Sequence, residues 1–129
     1  MPTRILIFEK HDSLARSVAA LLPEQDYGIH VAPATKSGLA FLAAFQPDLI
    51  LLQVKDPVDW TLLSEIRARS GAPLILCSSS RNPADVARGL RQGANAYVRW
   101  PSSPIELGAR ILACLRRAKW NAAGERSYP

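Results

Sequence analysis

The chain has 129 residues, 48% of them hydrophobic, which suits one compact domain around a single core. It has no apolar run of about 18 residues, and the segment before Ile5 is too short for a signal peptide, so neither a membrane span nor a leader is expected. A net charge of +5 raises nucleic acid as a partner, but the basic residues are scattered until Arg116, Arg117 and Lys119 and lack interleaved aromatics, a pattern that favours a solvated or partner-facing surface.

Ile5 to Phe8 is a short continuous apolar run, as a parallel strand buried on both faces requires. Asp12 or Ser13 is placed to cap the helix that follows, where Leu14, Val18, Leu21 and Leu22 recur at helical spacing and Pro23 marks the end. Tyr27 to Ala32 reads as a second strand, and Thr35 to Ala44 as a second helix with Leu39, Leu42 and Phe45 on one side. Leu49 to Leu52 is the third strand, Leu62, Leu63 and Ile66 mark the third helix, and Pro73 to Ser78 is the fourth strand. Pro83 suits the first turn of a helix running to Gln92, and Gly93 suits its stop. Ala96 to Arg99 is a fifth strand and Pro104 to Ala118 a last helix. The expected domain is residues 1–119, with 120–129 as a frayed tail or linker. Cys77 and Cys114 lie inside apolar runs without ligand spacing and read as small buried residues of a cytoplasmic protein.

Repeated strand–helix units with short connections predict an α/β fold of three layers, a parallel sheet wrapped on both faces by helices. In such sheets ligands sit beyond the carboxyl ends of the strands. The residues there are Glu9 and Lys10 after the first strand, Gln53 after the third, Ser78 after the fourth and Trp100 after the fifth.

The segments Pro47 to Leu52, Ala87 to Val98 and Pro104 to Ile111, in this order and spacing, resemble receiver domains of two-component response regulators, the CheY-like family. The similarity runs from Arg4 to about Arg117 and implies a doubly wound, flavodoxin-like (βα)5 fold with strand order 2-1-3-4-5. It also implies a site. In the family, two acidic residues after the first strand and an acceptor aspartate hold magnesium, while a hydroxyl and a lysine contact the phosphoryl oxygens. The matching positions here are Glu9, Lys10, Gln53, Ser78 and Trp100, and only the first and fourth keep suitable chemistry.

A carboxamide at Gln53 does not attack phosphorus as a carboxylate does. One carboxylate beside one ammonium is a poor magnesium site, because this cation needs one or two carboxylates plus phosphate oxygens. Lys10 would oppose it by several kcal/mol at ~4 Å and an effective dielectric near ~20, and could pair with Glu9 instead. Asp56 and Asp59 are other possible acceptors, and Asp12 another possible metal carboxylate, but without the lysine nothing stabilises the transferring group. The expectation is a pseudo-receiver with no catalytic residue, metal or cofactor, acting through protein partners.

Tyr97 matches the aromatic that, in the family, changes rotamer when the hydroxyl engages phosphate. Trp100 is expected to fill the space of the lost polar site. His11 and His30 read as surface groups, and Trp60 and Trp120 as possible partner contacts. Arg88, Glu106 and Arg110 match charged positions of a dimer face built from the fourth helix, fifth strand and fifth helix. Its acidic partners are replaced by Asn95 and Ala96, which predicts at most a weak homodimer, since such pairs contribute ~0.2–1 kcal/mol each. Gly89 and Gly108 are read as letting those helices approach a partner. The resemblance further implies a cis bond at Trp100-Pro101. Two alternatives stay open: the receiver half of a DNA-binding regulator whose output domain lies beyond residue 129, and a flavodoxin-like small-molecule domain. The latter would need a phosphate loop rich in Gly, Ser and Thr where this chain has Glu9 to Ser13.

Overall fold

Continuous apolar runs become the strands of one parallel sheet in the computed structural model, which describes residues 2–55 and 60–127, with backbone only from 119 onward. The strands are β1 (Thr3–Phe8), β2 (Tyr27–Ala32), β3 (Leu49–Val54), β4 (Leu74–Ser78) and β5 (Ala96–Arg99), in the order β2-β1-β3-β4-β5. Every pair is parallel. The fold and strand order are those expected.

Side-chain alternation divides the core into two layers. Ile5, Ile7, Leu49, Leu51, Ile75 and Val98 point to one face and pack on Leu14 and Val18 of α1 (Ser13–Leu21) and on Leu107 and Ile111 of α5 (Pro104–Ser127). Leu6, Phe8, Ile50, Leu52, Leu74 and Leu76 point to the other. They meet Leu42 of α2 (Ala40–Phe45) and Leu63 and Ile66 of α3 (Thr61–Arg69). Full burial of each such side chain stabilises by ~1.5–3 kcal/mol. α4 (Pro83–Arg91) lies against this second layer through Gly89, where a Cβ would come within 2.8 Å of Leu76 Cδ2.

Several boundaries differ from the sequence reading. The second helix begins as a 3-10 turn, Lys36–Leu39, before α2; there Gly38 lies so close to the Pro33 carbonyl and the Phe8 ring that a side chain would collide. β3 continues to Val54, since Gln53 and Val54 pair with Cys77 and Ser78 of β4. The expected frayed tail is instead helical through Ser127. Ala122, Ala123, Glu125 and Arg126 are strong helix formers, and no proline interrupts the segment before Pro129. Pro83 does open α4, after Asn82, whose Oδ1 accepts from the Ala84 amide at 3.0 Å. Gly93, at φ +113°, follows its end as expected. The Trp100-Pro101 bond is cis, as the resemblance implied.

Candidate functional site

Glu9 leaves the end of β1 only 2% exposed, and a carboxylate so buried requires donors. It finds them in α1. Its Oε1 accepts from the Leu14 amide at 3.1 Å and its Oε2 from the Ala15 amide at 2.8 Å. First-turn amides have no partner within their own helix, and the positive end of the helix dipole favours the charge. The cap of α1 is therefore Glu9, which corrects the assignment to Asp12 or Ser13. Asp12 occupies the N-cap position without a side-chain capping bond and pairs with exposed Arg16 at 2.8 Å. Lys10 is exposed and forms no ion pair with Glu9, so that expected pairing is also corrected.

Gln53 is half-buried near the end of β3. It borders a pocket of about 230 Å³ with Lys10, His11 and Lys55 at its polar side and Ala34 and Leu62 at its apolar side. That volume is below the ~300–1,000 Å³ of ordinary small-molecule sites.

Ser78 is fully buried, and its hydroxyl accepts from the Ser80 amide at 3.1 Å. Ser80 in turn donates to Asp85 at 2.5 Å and accepts from the Asn82 amide at 3.2 Å. The hydroxyl expected to face a phosphoryl group thus shapes the β4–α4 turn. Ser80 and Asp85 were not singled out in the sequence. Pro83 signalled the helix start; nothing local signalled Ser80.

Trp100 is 6% exposed and joins the layer beneath α1 and α5, as the space-filling reading expected. Its amide donates to the Ser78 carbonyl at 2.9 Å. Burial, with the Glu9 charge adding, pushes the Cys77 thiol up to about 12. Tyr97 is half-buried with the second core layer, and its hydroxyl donates to the Ser80 carbonyl at 3.5 Å.

The residues matched to the family's dimer face lie on α4 and α5. Arg88 stacks its guanidinium 4.8 Å over the Trp60 ring, while Glu106 and Arg110 are exposed on α5. None of the three forms an ion pair among the described residues. Gly89 faces Leu76, Tyr97 and Trp60, and Gly108 faces Leu21, so both have neighbours within the chain. Asn95 Oδ1 accepts from the Leu74 amide and from Arg67 Nη2, each at 2.9 Å. His11 is exposed as expected, whereas His30 is half-buried with its ring centroid 4.8 Å from Phe41 and 5.5 Å from Phe45. Asp56, Asp59 and the Trp120 side chain lie outside the described residues. Among the described residues no helix is long and apolar enough to cross a membrane.

The sequence matches the response regulator receiver domain over residues 5–112. The chain belongs to this family. It is 33% identical over 121 residues to the DNA-binding response regulator MtrA of Mycolicibacterium smegmatis, covering 91% of this chain and 52% of that protein. It is 35% identical over 129 residues to the transcriptional regulatory protein CseB of Streptomyces avermitilis, covering 98% and 54%. The receiver described here thus spans about half the length of these curated relatives. Among solved structures it is similar to a CheY-like receiver from Methanospirillum hungatei, with TM-score 0.79, 24% identity and 94% and 99% of the two chains covered. It is also similar to the BeF3-activated receiver domain of Klebsiella pneumoniae RstA, with TM-score 0.76, 26% identity and coverage of 88% and 99%.

Receivers hold magnesium beside the acceptor, and the residues present here do not fit that ion. Both Glu9 oxygens accept helix amides, Lys10 brings a positive charge, and Gln53 offers a neutral oxygen. Among the described residues no group of three or more His, Cys, Asp or Glu is arranged to hold a metal.

Proposed function

We propose that this receiver domain is a pseudo-receiver: it takes part in two-component signalling by binding protein partners and does not accept a phosphoryl group. The observation that carries this reading is the engagement of Glu9 by the Leu14 and Ala15 amides, with a Gln53 carboxamide near the end of the adjacent strand β3. The carboxylate that would hold magnesium already has a structural partner, and the group that would attack phosphorus is not a nucleophile at neutral pH. Ser78 and Trp100 support the same reading, since one shapes a turn and the other fills the core.

The test is incubation with acetyl phosphate or phosphoramidate and magnesium, followed by intact-mass spectrometry. The expected result is no adduct, and no saturable magnesium-induced NMR shift at residues 9–12 or 53–55. A hydroxylamine-labile adduct of one phosphoryl group refutes the proposal.

The relatives' names favour a second reading of the output, control of transcription through a DNA-binding region outside this domain. Sequence-specific DNA retention by the intact cellular protein, absent for residues 1–129 alone, supports it.

A further inference from the structure

At the amino-terminal ends of β3 and β4, the opposite end of the sheet from Glu9 and Gln53, an open groove of about 990 Å³ separates α2 from the end of α3. That volume lies at the upper end of the ~300–1,000 Å³ of small-molecule sites, against about 230 Å³ beside Gln53. Leu39 and Leu42 of the second core layer give it an apolar floor. Ala40 and Ala43 of α2 and Gly71 after α3 are exposed and too short to close over that floor. A Cβ built on Gly71 would meet nothing within 4 Å.

The polar side of the groove is cationic. Arg69 pairs with Glu65 at 2.5 Å, while exposed Lys36 on the α2 side has no ion-pair partner among the described residues. The hydrogen bond and charge of Arg69 hold the Glu65 carboxyl below its usual range, and the Lys36 charge adds to them. The lining charges, Lys36 and Arg69 against Glu65, thus leave one positive charge in excess. Carbonyls at helix ends could offset it, but here they are engaged by further cations. Arg4 Nε donates to the Gln46 carbonyl at 3.0 Å, and Arg67 Nη1 to those of Ser70 and Ala72 at 3.2 and 2.6 Å. Asp48 lies outside the lining and accepts from the Arg4 amide at 2.8 Å.

An anionic oxygen beside Lys36 and Arg69 gains charge-assisted hydrogen bonds, and an apolar body covers Leu39 and Leu42. A cationic ligand meets the same excess as repulsion, and a neutral one leaves Lys36 unmatched. We propose that the α2–α3 groove binds a small organic anion, a carboxylate carried on a compact apolar body, with the carboxylate on Lys36 and Arg69 and the body over Leu39 and Leu42. The site goes beyond the reading of the degenerate acceptor, since none of Glu9, Lys10, Gln53, Ser78 or Trp100 lines it. Its occupancy stands whether or not the chain takes a phosphoryl group.

The probes are 2-naphthoate, 2-naphthylmethanol and 2-naphthylmethylammonium, which share one ring system and differ in charge. Each is titrated into the isotope-labelled chain without phosphodonor and followed by NMR. Naphthoate should give saturable shifts at Ala40, Ala43, Gly71 and Ala72, weakening as salt rises. It should bind about tenfold more tightly than the alcohol, and the ammonium should not bind. Lys36→Gln should bring naphthoate down to the affinity of the alcohol and leave the alcohol unchanged. Ala43→Phe with Gly71→Phe fills the groove and should abolish the shifts of both. All three substituted positions are exposed, and circular dichroism checks that the variants fold. Absence of saturable shifts, equal affinity for acid and alcohol, or indifference to Lys36→Gln overturns the proposal. So do shifts confined to residues 10, 11 and 53–55, since Lys10 and Lys55 would then be the cations that hold the anion. An acyl-phosphate would refute the pseudo-receiver reading separately and does not alter a titration made without donor.

Discussion

Glu9 caps α1, its two oxygens accepting two amides at the start of the helix. Glu9→Gln keeps the size but loses the charge and one acceptor, so one amide faces an NH2 group. The expected loss is ~1–2 kcal/mol of stability, read from the urea midpoint at pH 7, in the range of other helix caps. Cys77 gives a test of a different kind. Its folded thiol holds the proton up to about 12, against a usual value of 9.0, chiefly through burial and secondarily through the Glu9 charge. A raised value in the folded state stabilises fully below the unfolded value and is lost as pH rises through the folded one. Stability should therefore fall between pH 9 and about 12, by up to ~1.4 kcal/mol per unit. Cys77→Ala should be less stable at pH 7 but show a shallower alkaline decline. Equal slopes for the two proteins in urea titrations across that range would contradict the assignment.

At the scale of elements, α3 is fastened to the α4–β5 connection by one side chain. Arg67 Nε donates to the Gly93 carbonyl at 2.8 Å and Nη1 to the Ala72 and Ser70 carbonyls at 2.6 and 3.2 Å. Its Nη2 reaches Asn95 Oδ1 at 2.9 Å, and burial lowers its affinity for the proton. The planar fork matches four acceptors that a lysine ammonium cannot meet together. Arg67→Ala should cost ~1.5–3 kcal/mol, as hydrogen bonds to a charged group do, when these part-buried carbonyls lose their donor. Arg67→Lys should recover less than half of that in thermal unfolding. The sequence showed Arg67 only as one more charge on a helix, because its acceptors lie up to 28 residues away.

For the molecule as a whole, β1, β3 and β4 contribute side chains to both core layers, so neither layer can dissolve while the other remains intact. Trp100 lies in the layer beneath α1 and α5, and Trp60 packs against the opposite one. Fluorescence changes lost on Trp100→Phe and on Trp60→Phe therefore report the two layers separately. Both should show the same urea midpoint, coincident with far-ultraviolet circular dichroism, as a two-state transition requires. Midpoints that separate would mean that the layers unfold independently.

Strand identity could be read from residues alone because parallel strands buried on both faces must be continuously apolar, and Ile5 to Phe8, Leu49 to Leu52 and Leu74 to Cys77 are; their order in the sheet came only with the family resemblance. The residue types at the strand ends were likewise visible, including the amide at Gln53 and the indole at Trp100. What each of those groups touches was not, since hydrogen bonding depends on contacts that chain order does not reveal. The turn after β1 brings the α1 amides to Glu9, and the turn after β4 brings Ser80 to the Ser78 hydroxyl. The packing of α4 turned Gly89 inward and Arg88 toward Trp60, leaving Leu90 beside the α5 arginines. Sequence alone thus determined the sheet and the chemistry available at its edge. Tertiary structure decided which charges are already engaged and which remain open to a partner, because burial and helix termini act only once distant segments meet.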